Sequence, residues 1–77
     1  MTNYCSALKR YVEADGNSQA GLASAIGTSQ PNVHRWANGR LPTREIAEKI
    51  AAATGGAVPM ELWQSEIVRR FGLGVAA

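Results

Sequence analysis

The sequence predicts an all-α fold, a compact domain of four to five short helices, and three observations carry that prediction. Apolar residues recur at three- and four-residue steps along most of the chain. Glycines and prolines interrupt those stretches at intervals of about one short helix. The composition is alanine-rich, 45% hydrophobic, 6% aromatic and 18% charged; disorder would require fewer apolar residues and more charge. With 77 residues the chain suffices for one domain, 1–77, near the lower limit at which a single core is stable by itself.

The elements follow in order. A first helix is expected from Tyr4 to about Ala14, with Tyr4, Leu8 and Tyr11 or Val12 on one face and Gly16 as a left-handed stop. Ser18 is placed to cap a second helix, Gln19 to Ile26, which turns Leu22, Ala23 and Ile26 inward and closes at Gly27. Thr28 is placed to cap a third, Ser29 to about Asn38, ended by Gly39. Leu41 precedes Pro42, which disfavours helix there and marks a connection. Thr43 caps a fourth helix, with Glu45 in its first turn and Ile46, Ala47, Ile50 and Ala53 on one face, until Gly55-Gly56 breaks it. In the tail, Pro59 fits a first turn, and Met60, Trp63, Ile67 and Phe71 recur at helical steps. Residues 64–77 either complete that amphipathic helix or form an extended arm, and "GLGVAA" is expected to be frayed.

The central stretch, residues 19–39, carries the chemistry. Ala23 is small where two helices must approach closely, and Gly27 supplies a sharp turn. Leu22, Ile26, Val33 and Trp36 are spaced for one shared core. That is the physical pattern of a helix-turn-helix in which the second helix is held out by the first. With Val33, Trp36 and Ala37 inward, a step of about 100° per residue puts Pro31, Arg35 and Asn38 on the opposite face. Asn32 and His34 flank that face, and Ser29 and Gln30 lead into it. Pro31 falls in the first turn, where its missing N–H has no intrahelical acceptor to lose. Such a face suits a major groove: glutamine can pair with adenine, arginine with guanine, and proline can touch a thymine methyl.

Charge supports the same direction. The formal net charge is only +2, but no acidic residue lies between Asp15 and Glu45, whereas Arg35, Arg40 and Arg44 all do. An acid-free basic segment points toward a polyanion. The free N–H groups after Ser18 and Gln19 can bind a phosphate while Ser18 caps.

The stretch "QAGLASAIGTSQPNVHRWANG" resembles the lambda-repressor/Cro-type helix-turn-helix family, and the chain as a whole is similar to its small Cro-like and YdaS-like antitoxin members. The matching positions are Gln19, Ala23, Gly27, Ser29-Gln30, Val33, Trp36 and Asn38-Gly39. "LPTREIAEKIAAATGGAV" and the following "LW" extend the resemblance over roughly residues 3–63. The resemblance implies that Gln30, Pro31 and Arg35 face bases, and that Gln19, Asn38 and Arg40 lie near phosphates. Ser29, Asn32 and His34 are candidates for base or backbone contact, and Ser18 and Arg44 for phosphate. Gly21 departs from the family pattern, since a larger residue is usual there. So does Pro31, which cannot make the hydrogen bonds of the glutamine or serine often found in its place.

Several residues carry plainer readings. Trp36 is a core residue by periodicity, and Trp63 is either core or dimer contact. Arg40 and Arg44 are solvated charges or phosphate clamps, and Arg69-Arg70 is expected to be a solvated pair. His34 has no second metal-type ligand nearby in sequence, and Cys5 is the only cysteine, which rules out an internal disulfide and a zinc cluster. No nucleophile–base pair, carboxylate pair or phosphate loop is recognisable, so neither catalysis nor a cofactor is expected. The N-terminus lacks the apolar stretch of a signal peptide, and no run approaches the roughly 20 residues of a membrane span. A cytoplasmic location is expected. The expected partner is double-stranded DNA bearing a palindromic operator, bound as a homodimer through Trp63, Ile67, Val68 and Phe71, as by a prophage Cro-like repressor. The alternatives are an autoregulating antitoxin whose tail holds a toxin, and a helical protein-interaction module that does not bind DNA.

Overall fold

The computed structural model describes residues 3–72. It contains five helices: α1 (Tyr4–Glu13), α2 (Gln19–Ile26), α3 (Gln30–Ala37), α4 (Arg44–Ala53) and α5 (Met60–Phe71). There is no strand among the described residues. The five-helix form of the expected all-α fold is therefore the one adopted. α3 packs on α2 and α1, α2 also packs on α4, and α5 packs on α4 and α1.

Short helices need satisfied ends, because the first N–H groups have no partner within the helix. Asn3 Oδ1 accepts from Ser6 N at 2.8 Å, Ser18 Oγ from Gly21 N at 2.9 Å, and Thr43 Oγ1 from Ile46 N at 3.4 Å. The Asn3 cap was not anticipated. Ser18 and Thr43 cap where the sequence places them. α3 begins one residue later than expected: Ser29, not Thr28, occupies its cap position and makes no side-chain cap bond. The Thr28 hydroxyl is engaged otherwise, accepting from Asn32 Nδ2 at 3.0 Å. Pro31 still lies in the first turn. At the turn between α2 and α3 the backbone of Gly27 has φ +76°, a region in which a side chain would be strained.

One core joins the elements. Tyr4, Leu8 and Val12 of α1 meet Leu22, Ala23 and Ile26 of α2, and Val33, Trp36 and Ala37 of α3. Ala47 and Ile50 of α4 and Val58 in the loop before α5 complete it. Thr54 is buried without penalty, since its Oγ1 donates to Ile50 O at 2.8 Å and accepts from Val58 N at 3.2 Å.

The second half departs from the periodic reading in four places. Ala53 is exposed although it shares a spacing with Ile50; it lies at the rim of the α2–α4 contact, beside Ala25. Pro59 is the cap residue of α5, with φ −79° and ψ 159°, one position before the first turn. Phe71 is 62% exposed, and the buried residue of α5 is Glu66. Arg69 and Arg70 are not a solvated pair: both donate to the Glu66 carboxylate, Arg70 Nε at 2.7 Å from Oε2. The frayed end expected for "GLGVAA" falls, beyond Gly72, outside the described residues.

Candidate nucleic-acid interface

α3 is held by one face and free on the other. Val33 is fully buried, Ala37 is 4% and Trp36 9% exposed, so the apolar side chains fix its rotation about its own axis. That rotation leaves Gln30, Pro31, His34, Arg35 and Asn38 exposed, with Ser29 exposed ahead of them and Asn32 half-buried beside them. All the candidate base-facing residues therefore share one accessible surface.

Several of these side chains are braced rather than loose. Arg35 Nη1 donates to Asn32 Oδ1 at 3.0 Å, and Asn32 Nδ2 in turn donates to Thr28 Oγ1 at 3.0 Å. A guanidinium steadied at one edge loses less freedom when its other donors meet an acceptor. Among the described residues no hydrogen bond engages the Gln30 side chain, which keeps its amide available. Pro31 adds a rigid apolar surface beside it.

A second group sits across the α2–α3 junction. Gln19 Nε2 donates to His34 Nδ1 at 3.2 Å. Asn38 Nδ2 donates to His34 O at 2.8 Å and stands 3.5 Å from the same ring nitrogen. Ser18, at the head of α2, is exposed, as is Arg40 just past the end of α3. The α2 start and the α3 exit thus bring the Gln19 and Asn38 amides together at the His34 ring. Arg44 stands apart, its Nε 3.5 Å from Glu48 Oε2 in an exposed pair one turn along α4.

Gly21 has a local explanation. A Cβ built there would lie 3.0 Å from Ser18 Oγ, the atom that caps α2. The cost of glycine in a helix, about 1 kcal/mol, is thus set against an uncrowded cap.

The four tail residues divide. Trp63 is half-buried against the core, and its Nε1 donates to Pro42 O at 3.0 Å. Ile67 is half-buried, whereas Val68 and Phe71 are exposed at 39% and 62%. Sequence reasoning missed two partners of the interface. One is Thr28, whose role as a brace for Asn32 is hidden behind its aptness as a cap. The other is Arg70, whose Nη1 donates to Gly39 O at 2.6 Å. The signal for the Glu66 cluster was present in the spacing, since carboxylate and arginine three and four residues apart meet on a helix.

No group of three or more His, Cys, Asp or Glu side chains that could hold a metal ion occurs among the described residues. No helix there is long and apolar enough to cross a membrane. No curated protein and no solved structure matched the sequence. The family model described as helix-turn-helix matches residues 8–60, from the middle of α1 through α2, α3 and α4 to the start of α5. That span includes the α2–α3 surface from Ser18 to Arg44, and leaves Arg70 and the other tail residues outside it. The chain belongs to the helix-turn-helix family of DNA-binding regulators.

Proposed function

We propose that the protein is a sequence-specific regulator of the Cro-like kind, of prophage type, which lays α3 in the major groove of an operator. The observation that carries this reading is the exposed, acid-free outer face of α3, with Arg35 braced by Asn32 and the opposite face buried. In this reading Gln30, Pro31 and Arg35 read base edges, and Ser29, Asn32 and His34 contact bases or backbone at the margins. Ser18, Gln19, Asn38 and Arg40 fix the register on phosphates, with Arg44 adding to them once it releases Glu48.

One short helix spans only a few base pairs, so useful specificity calls for two copies on a palindrome with half-sites about 34 Å apart. The exposed Val68 and Phe71, with Ile67 beside them, are the dimer surface in this reading, and Trp63 backs it from the core side. The same exposed apolar pair favours a second reading, an antitoxin that represses its own operon and holds a toxin on α5. The test is a mobility-shift titration of randomised and selected duplexes with competitor DNA, paired with sedimentation of the complex. Survival of a two-to-one complex on a palindrome supports the repressor; a one-to-one complex contradicts the dimer. Loss of all binding to competitor removes sequence-specific recognition.

A further inference from the structure

α5 is arranged with its polarity reversed. Glu66 is 3% exposed, although apolar side chains of the same helix remain in solvent. A buried carboxylate requires cationic or hydrogen-bonding compensation. Burial by itself would push the Glu66 carboxyl up, but the Arg69 and Arg70 guanidinium groups outweigh it and hold the group below the usual carboxylate range. Arg69 lies largely at the surface. Arg70 reaches further. Its Nε donates to Glu66 Oε2 at 2.7 Å, its Nη1 to Gly39 O at 2.6 Å, and its Nη2 stands 3.7 Å from Cys5 Sγ.

Gly39 forms the turn that ends α3, with φ +124°. The N–H of Arg40 folds back to Arg35 O at 3.0 Å, closing the helix and leaving later carbonyls to find donors elsewhere. Two consecutive carbonyls of this turn find them at long range: Gly39 O accepts from Arg70, and Arg40 O from the Cys5 thiol at 3.8 Å. A guanidinium also complements the negative end of a helix. α3 and α5 do not pack on each other among the described residues, so the Arg70 side chain is a direct tie between α5 and the exit of α3. Trp63, bonded to Pro42 O, holds the same connection three residues further on.

We propose that Glu66 and Arg70 are positioning residues for DNA binding: the buried carboxylate aims Arg70 at the Gly39 carbonyl, and that contact fixes the backbone from which Arg40 projects. The proposal rests on the DNA-binding reading and deepens it, by making α5 part of the apparatus that presents a phosphate contact. It is distinct from a direct role of Arg70 on DNA. Glu66→Gln removes a negative charge and would strengthen binding if the arginines acted only as surface cations. As a loss of positioning, the same substitution weakens binding.

The experiment measures the affinity of the full chain for a duplex enriched from a random pool, across a salt series, with thermal melting recorded for each variant. Glu66→Gln, folded at the assay temperature, is expected to bind roughly tenfold more weakly. Its salt slope is expected to fall by about one unit, as for Arg40→Ala. In an Arg40→Ala background the further loss is expected to be small, because both changes act through one contact. Arg70→Lys keeps the charge but loses the fork that spans two acceptors, and it is expected to follow the same pattern. It decides by the same criteria if Glu66→Gln melts too low to assay. Binding by either folded variant as tight as wild type, or losses that add in full to that of Arg40→Ala, would overturn the proposal. Wild type that fails to bind any duplex would overturn the DNA reading itself; wild-type binding with unaffected variants removes only the positioning role.

Discussion

α3 and α5 look alike as patterns and are used in opposite ways. α3 buries Val33, Trp36 and Ala37 and keeps its varied polar side chains outside. α5 buries a carboxylate, leaves Met60, Trp63 and Ile67 half-covered, and exposes Val68 and Phe71. The first helix is secured by non-directional apolar contact, which leaves its polar side chains on the outer face, Gln30 unpaired and Arg35 braced by Asn32. The second is secured in part by directional bonds from Arg70 and the Trp63 indole. One helix therefore has an outer face equipped for a charged polar ligand. The other has an anchor that responds to pH and an outer face suited to an apolar partner.

Truncating one large apolar residue on each helix is expected to separate the two most widely. Trp36→Ala is expected to cost about 3–5 kcal/mol of stability in urea unfolding, as for a buried aromatic. Phe71→Ala is expected to stay within about 0.5 kcal/mol when the single chain is unfolded at concentrations too low for self-association, since Phe71 is 62% exposed. Equal effects would remove the distinction. On the outer face of α3, Gln30→Ala is expected to leave unfolding nearly unchanged while costing about 1–3 kcal/mol in binding to a selected duplex.

Acid distinguishes the two anchors. The folded-state pKa of Glu66 lies below its unfolded value, so this group contributes stability above the ordinary carboxylate range near pH ~4.3. That contribution is lost as the pH falls from there through the lower folded value. Melting curves on an acid series are expected to show this loss for wild type and a shallower one for Glu66→Gln. The smallest effect is expected at the head of α2. Gly21→Ala gains about 1 kcal/mol of helix propensity but crowds Ser18 Oγ at 3.0 Å, and a compromised cap costs about as much. A melting temperature close to wild type is the expected outcome.

The first four helices were legible because each has its own local signals: a cap or a left-handed glycine, and an apolar stripe at helical spacing. α2 runs from Gln19 to Ile26 as its spacing and the Ser18 cap indicate. The start of α3 was one residue off because Thr28 and Ser29 are equally good capping types, and only the tertiary arrangement sends the Thr28 hydroxyl to Asn32. α5 was legible as a helix but not in its orientation. Periodicity treats Phe71 as inward and Glu66 as outward, and it has no way to register that Gly39, remote in sequence, offers a carbonyl where Arg70 emerges. The polar face of α3 could be read from residue spacing; the bracing of Arg35 by Asn32, and the pairing of Gln19 with His34, required the packed structure.

The central claim is that the outer face of α3 reads base pairs. Its most direct test is selection of duplexes from a random pool by wild type and by Arg35→Ala, run side by side. Wild type is expected to enrich a defined, symmetric sequence, and the variant to enrich the same sequence with one position per half-site relaxed. No enrichment by wild type, or an identical sequence enriched by both proteins, would contradict it.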